Sequence, residues 1–267
     1  MVDRADRFAT NEGRHRASRR HRCRLRARLG LSRREEGSRD LDRLLSAANT
    51  NTPALSRTFT HDLGGNLTSN SGVGTYGYPT QGSVAAQPHA VQTAGPWAFA
   101  YDLNGNQITR STSGIADRTI TYDGDNRPAS VAANGNAVTY LYGPDGSRLK
   151  KVVGSDVTLY LGDDIERDPT GAFIDYLTAD VKRAGGALSF LHRDHLASIR
   201  AITDATGAAY RVSTYEPFGE QVETALNPLT PVETKSWIGE RTDPETGLTY
   251  LHARYYDAVL GRFLGCE

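Results

Sequence analysis

The chain has 267 residues, 38% of them hydrophobic, with 27 glycines, 13 tyrosines, two cysteines and a single methionine. So much glycine and tyrosine, with so few long apolar runs, excludes a helical bundle and points to many turns between aromatic strands. A formal net charge of zero hides an asymmetry, because residues 1–45 hold 14 arginines against seven acidic residues.

The excess sits in an N-terminal arm whose residues 14–28 read R-H-R-A-S-R-R-H-R-C-R-L-R-A-R. Arginines fall on every side at any period, and like charges this dense oppose packing. Residues 1–50 are expected to be a disordered arm, with a short helix around Arg39–Ala48. Nucleic acid or an acidic lipid surface is the partner class such a cluster could take. Cys23 lies in the arm and Cys266 beside the last residue, without CxxC or Cys/His spacing, so neither a disulfide nor a zinc site is expected. The arm lacks the apolar stretch of a secretory signal, and no apolar run reaches the roughly 18–20 residues of a membrane span. As written the sequence carries no export address, and the expected location is cytoplasmic.

Residues 51–189 contain a repeat. Phe99 to Thr109, F-A-Y-D-L-N-G-N-Q-I-T, aligns with Ile120 to Ser130, I-T-Y-D-G-D-N-R-P-A-S, and with Tyr140 to Lys150, Y-L-Y-G-P-D-G-S-R-L-K. Tyr101-Asp102, Tyr122-Asp123 and Tyr142 anchor the three copies, and His61 to Thr68 is a fourth, with one degenerate unit expected between it and Tyr101. Each unit is an aromatic, β-branched strand, a turn rich in Asp, Asn and Gly, and a second strand. Asp and Asn bond their own backbone there and Gly takes positive φ. Strand–turn–strand at this spacing is a β-hairpin, and one hairpin cannot bury its apolar face alone, so stacked copies must share a sheet. The fold class is all-β. The tyrosines are expected to pack their rings and keep their hydroxyls wet. Rows of exposed Tyr and Asp would instead offer a carbohydrate-binding face.

Residues 190–267 change dialect. Their turns are Asp-Pro-Thr-Gly (168–171, just before this part), Asp-Ala-Thr-Gly (204–207) and Asp-Pro-Glu-Thr-Gly (243–247), which favour type I turns with bulged exits. Phe190 to Asp204 carries D-H-L-A-S, where His192, Asp194 and His195 invite a metal or acid–base reading. His192 and Asp194 would share a strand face, a third ligand is not evident, and a hydrogen-bonded cluster is expected. Tyr215-Glu216-Pro217-Phe218-Gly219 follows. The chain closes on W-I-G-E-R-T-D-P-E-T-G-L-T-Y-L-H-A-R-Y-Y-D-A-V-L-G-R-F-L, Trp237 to Leu264, with signature positions Gly247, Arg254, Tyr255, Tyr256, Asp257, Gly261, Arg262 and Phe263. Tyr255 and Phe263 are expected inward, with Arg254 and Arg262 paired to Asp243 or Asp257. No G-x-S-x-G elbow, phosphate-cradling loop or dinucleotide fingerprint occurs, and no cofactor is expected.

In order and spacing, the repeat, the D-H-L-x-S and Y-x-P-F-G steps and the closing run resemble RHS/YD-repeat proteins and their C-terminal RHS repeat-associated core, over residues 59–264. The resemblance implies a sheet spiralling into a shell wall, which in polymorphic toxins encloses a C-terminal toxin, and relatives that are secreted or on cell surfaces. It implies other RHS chains or a toxin as partners. It also brings an enzymatic alternative, because such cores resemble aspartyl autoproteases with one Asp-Pro-x-Gly turn before the R-Y-Y run and another after G-R-F-L. Asp243, with Arg241 before it, stands at the first, but the sequence reads Gly-Cys-Glu at the second. No catalytic residue is therefore assigned, Asp243 and Arg241 being vestigial candidates, and the chain is expected to be a truncated, non-enzymatic piece of a shell.

Overall fold

The computed structural model describes residues 57–80, 87–227 and 233–265. The arm and the short helix expected in it, both cysteines and Glu267 lie outside these. The described residues are all-β: 22 strands and one short 3-10 turn, Trp237–Gly239. Eighteen strands, from Phe59–His61 to Gln221–Ala225, form one sheet. Each pairs antiparallel with the next in a continuous meander. We call this sheet the wall. The strands Arg241–Asp243, Leu248–Leu251, Arg254–Asp257 and Arg262–Phe263 make a separate four-stranded closing sheet.

One small turn builds much of the wall. At Asp102 the carboxylate accepts the N–H of Asn106 at 2.8 Å, while the main chain of Asp102 bonds Gly105 N–H and the Asn106 carbonyl. The same backbone pattern opens at Asp62, Asp123, Asp168, Asp194 and Asp204, and with Gly143 or Glu216 in the Asp place. The fourth position always has positive φ, from Gly65 and Gly105 to Asn126 and Ala197. The Asp-Pro-Thr-Gly and Asp-Ala-Thr-Gly turns thus share the geometry of the repeat turns, and D-H-L-A-S is another copy of it, whereas at Asp243–Gly247 both Thr246 and Gly247 N–H bond the Asp243 carbonyl. Carboxylate, left-handed residue and bulged exit fix the register of each hairpin.

Strand alternation then sorts the two faces. In Asn136–Tyr142, Val138 and Tyr140 are buried while Ala137, Thr139 and Leu141 are exposed. The inward positions gather Ile120, Val131, Val138 and Tyr140 against Leu248, Tyr250, Tyr255 and Leu264 of the closing segment. A second cluster joins Leu67, Tyr76, Val91 and Ala94 to Leu260. A third, Tyr176, Leu191, Ile199 and Ile202, lies further along the wall.

The wall also comes round on itself. Phe59, in its first strand, meets Phe218 with ring centroids 4.8 Å apart, and Arg57 Nε bonds Glu216 Oε2 at 3.0 Å. Glu216 and Phe218 belong to the Tyr-Glu-Pro-Phe-Gly turn before the last wall strand, so this motif lies where early and late parts of the wall meet. Tyr256 donates its hydroxyl to the Phe218 carbonyl at 3.0 Å. A side chain on Gly261 would run into the Phe218 ring at 2.9 Å. Pro217 fills the second position of that turn, and Gly219 takes φ 92° at its fourth.

Candidate functional site: the buried charges of the closing segment

The closing sheet carries carboxylates into the interior, and the wall supplies the cations that meet them. Arg118, inward in phase with Ile120, donates from Nη1 to Asp257 Oδ2 at 2.7 Å and from Nη2 to Gln107 Oε1 at 2.8 Å. The other Asp257 oxygen accepts the N–H groups of Val259 and Leu260 at 3.1 Å, which shapes the turn leading to Gly261. Arg241 Nε reaches the wall carboxylate of Glu166 at 2.8 Å. Glu233, in the strap entering the closing segment, accepts from Lys182 Nζ at 2.6 Å and from the Tyr176 hydroxyl at 2.5 Å.

The densest group surrounds Asp243, whose side chain is 1% exposed. Its Oδ2 accepts from Arg148 Nη1 at 2.7 Å and from the Tyr140 hydroxyl at 2.9 Å. Lys151 Nζ lies 3.4 Å from Oδ1 and bonds both Glu245 oxygens at 3.1 and 2.9 Å. The Arg148 guanidinium packs over the rings of Tyr140, Tyr160 and Tyr250, a tyrosine cage that suits a weakly hydrated cation. Burial opposes ionisation of Asp243, but the charges of Arg148 and Lys151 and the hydrogen bonds from Arg148 and Tyr140 outweigh it and hold its pKa below the usual range. Burial, and then the Asp243 charge, push the Tyr140 hydroxyl well above its ordinary value. Asp243 also serves as a turn former, its carbonyl accepting from Thr246 and Gly247 N–H.

Several expected placements change. Tyr255 is buried at 2%, but Phe263 is 39% exposed. Its strand is only two residues long, and the Phe263 ring lies between Tyr256 and the Arg254 guanidinium, 3.7 Å from its centroid. The cations found on Asp243 and Asp257 come from the wall, while Arg262 reaches the His89 carbonyl and the Tyr78 ring. His192 bonds Thr203 at 3.0 Å. The Asp194 carboxylate instead turns to the N–H groups of Leu196 and Ser198, and His195 sits exposed at the turn tip. No cluster of the three forms, because Asp194 already belongs to the turn. Among the described residues no group of three potential ligands could hold a metal ion.

The tyrosine hydroxyls are not left to water. Tyr78, Tyr122, Tyr142 and Tyr215 donate to the carbonyls of Leu67, Gln107, Pro128 and Ile199 at 2.7 to 2.9 Å. Each acceptor is the first residue of the return strand in the preceding hairpin. Tyr101 makes a variant of the bond to Val91. The repeated Tyr therefore stitches hairpin to hairpin, and its neighbour Asp shapes the turn.

Sequence reasoning missed Arg118, Arg148, Lys151, Glu166 and Lys182. Arg118 was detectable, two residues before Ile120 and four before Tyr122 on one strand face. Arg148 and Lys151 were not, because a register shift between Arg148 and Lys150 turns both inward. A cleft of about 430 Å³ opens beside this network, lined by Tyr76, Phe99, Tyr101, Gln107, Arg262 and Phe263.

A meander wall held round its own C-terminal sheet by buried ion pairs is a shell-type architecture. Comparison with known proteins agrees. Residues 175–267 match the family described as teneurin YD-shell. The chain is 28% identical over 185 residues to the tRNA nuclease WapA of Bacillus subtilis (strain 168), covering 64% of this chain and 8% of that protein. It is equally close to the tRNA(Glu)-specific nuclease WapA of Bacillus subtilis subsp. natto, again covering 8% of it. Among solved structures it resembles the Tc holotoxin pore of Photorhabdus luminescens, with TM-score 0.59 and 19% identity over 79% of this chain and 12% of that one. It also resembles TcdB2-TccC3, with TM-score 0.58 and 19% identity over 78% of this chain and 12% of that one. Residues 175–267 are thus of the YD-shell type, the wall shares its fold with these solved structures, and the chain spans a small part of the length of these relatives.

Proposed function

We propose that this chain is a structural part of a toxin-enclosing shell, in which the hairpin wall surrounds and anchors the closing segment, and that it turns over no substrate and does not cleave itself. The observation that carries this is the fate of the buried charges. Each carboxylate of the closing segment that reaches the interior is matched by a cation of the wall, as Asp257 is by Arg118. A carboxylate serving as an acid needs a raised pKa or a proton shared with a second carboxylate. Asp243 has its pKa lowered and is met by Arg148 and Lys151. That supports a fastening role over self-cleavage.

Delivery of a toxin, association with other RHS chains and secretion belong to this proposal through the shell likeness. The nuclease activity named for the WapA proteins is not carried over, since this chain matches only 8% of their length. The test is electron microscopy of the native product that contains this chain, purified from its host. A particle with an enclosed lumen, this chain forming part of its wall, is expected. A particle without a lumen would contradict the proposal.

A further inference from the structure

Lys151, Asp243 and Glu245 form an arrangement that ordinary ion pairing does not require. Lys151 comes from the wall strand Arg148–Val153, and the two carboxylates come from the closing segment. The Lys151 side chain is 6% exposed and that of Asp243 1%. Glu245 grips the ammonium with both oxygens, at 3.1 and 2.9 Å, and this ammonium stands 3.4 Å from Asp243 Oδ1. That oxygen is buried and accepts no hydrogen bond, whereas Oδ2 of the same carboxylate takes both Arg148 and Tyr140. One oxygen is held by two donors. The other is left bare beside an amine that has a carboxylate for a base.

We propose that Lys151 and Asp243 condense into an intramolecular isopeptide bond that ties the wall covalently to the closing sheet. Glu245 takes a proton from the Lys151 ammonium and passes it to the bare Oδ1 of Asp243, and the freed amine attacks Cγ of the now neutral carboxyl. Negative charge gathering on Oδ2 is stabilised by Arg148 and Tyr140, donors already aimed at that atom. Glu245 then relays a second proton, from the attacking nitrogen, to Oδ1. The Cγ–Oδ1 bond breaks, Oδ1 leaves as water and the amide remains. The ammonium gives up two of its three protons and no other reactant is needed. Held reactants and excluded water favour condensation over hydrolysis. Two buried charges disappear, and Arg148 and Glu245 still balance each other.

Intact mass spectrometry of the full 267-residue chain, with Lys151→Arg and Glu245→Gln alongside, decides the matter. The unmodified sequence is expected to weigh one water less than its composition, and a digest is expected to give a branched peptide joining Lys151 to Asp243. Lys151→Arg should show its full mass. Glu245→Gln, which keeps the shape but not the base, should show full mass or a much slower loss. Only the monomeric, folded fraction is weighed, so a misfolded variant cannot imitate the result, and the branched peptide decides without any variant. A wild-type chain at full mass overturns the proposal. So does a lost water that maps to a succinimide at Asp123-Gly124 or Asp145-Gly146.

Discussion

The repeated tyrosine is the residue on which the wall turns. Its aromatic body and strand position were legible in the sequence, but its hydroxyl's role was not, because the acceptor lies in the preceding hairpin and depends on register. Tyr122→Phe keeps the ring and removes the bond to the Gln107 carbonyl. It should cost about 1–2 kcal/mol, since a poorly hydrated acceptor is left unpaired, read as a lower urea midpoint at an unchanged slope. Ala197 makes the opposite case. It occupies a turn position with φ 69°, where a Cβ is strained and glycine is at ease. Ala197→Gly is therefore expected to stabilise the protein by about 0.5–1 kcal/mol in the same titration, and a loss would show that the turn is not under strain.

Hairpins and the closing sheet were readable as elements from turn chemistry and alternation, both local properties. What bound them together was not, because a charged strand residue means nothing until its partner is placed. Arg118 and Asp257 lie 139 positions apart in the chain and 2.7 Å apart in space. Asp257→Ala removes one member of that buried pair and leaves Arg118 uncompensated, which should cost about 3–5 kcal/mol. A loss under 1 kcal/mol would mean that the pair is not closed in solution. The inward tyrosines give a second handle. Burial raises the hydroxyl pKa of Tyr122, Tyr140, Tyr142, Tyr160, Tyr176 and Tyr255. A pKa higher in the folded than in the unfolded state gives stability that is complete below about pH 10 and lost as pH rises towards the folded values. Tyrosinate absorbance should thus stay low past pH 10 and then rise together with unfolding. A smooth rise centred near 10 in folded protein would contradict the packing.

At the scale of the molecule, two kinds of contact make one body from a chain of local hairpins. The wall meets itself at Phe59 and Phe218, and it grips the closing sheet through apolar clusters and ion pairs. The domain boundary expected at residue 190 falls inside the wall strand Ala187–Arg193, so the meander continues past it to Ala225. Neither the wrap nor the grip could be read from repeats, whose period sets hairpin spacing but not curvature. The family resemblance supplied the shell, and the structure supplies its fastening.

The most direct test is hydrogen exchange, read residue by residue under native conditions. If wall and closing sheet are one cooperative unit, amides of Leu248–Leu251 and Arg254–Asp257 will exchange only through global opening, at the same free energy as those of Ile115–Tyr122 and Asn136–Tyr142. Closing-sheet amides that exchange orders of magnitude faster, while the wall stays protected, would show that the segment is not held by the wall and would contradict the account.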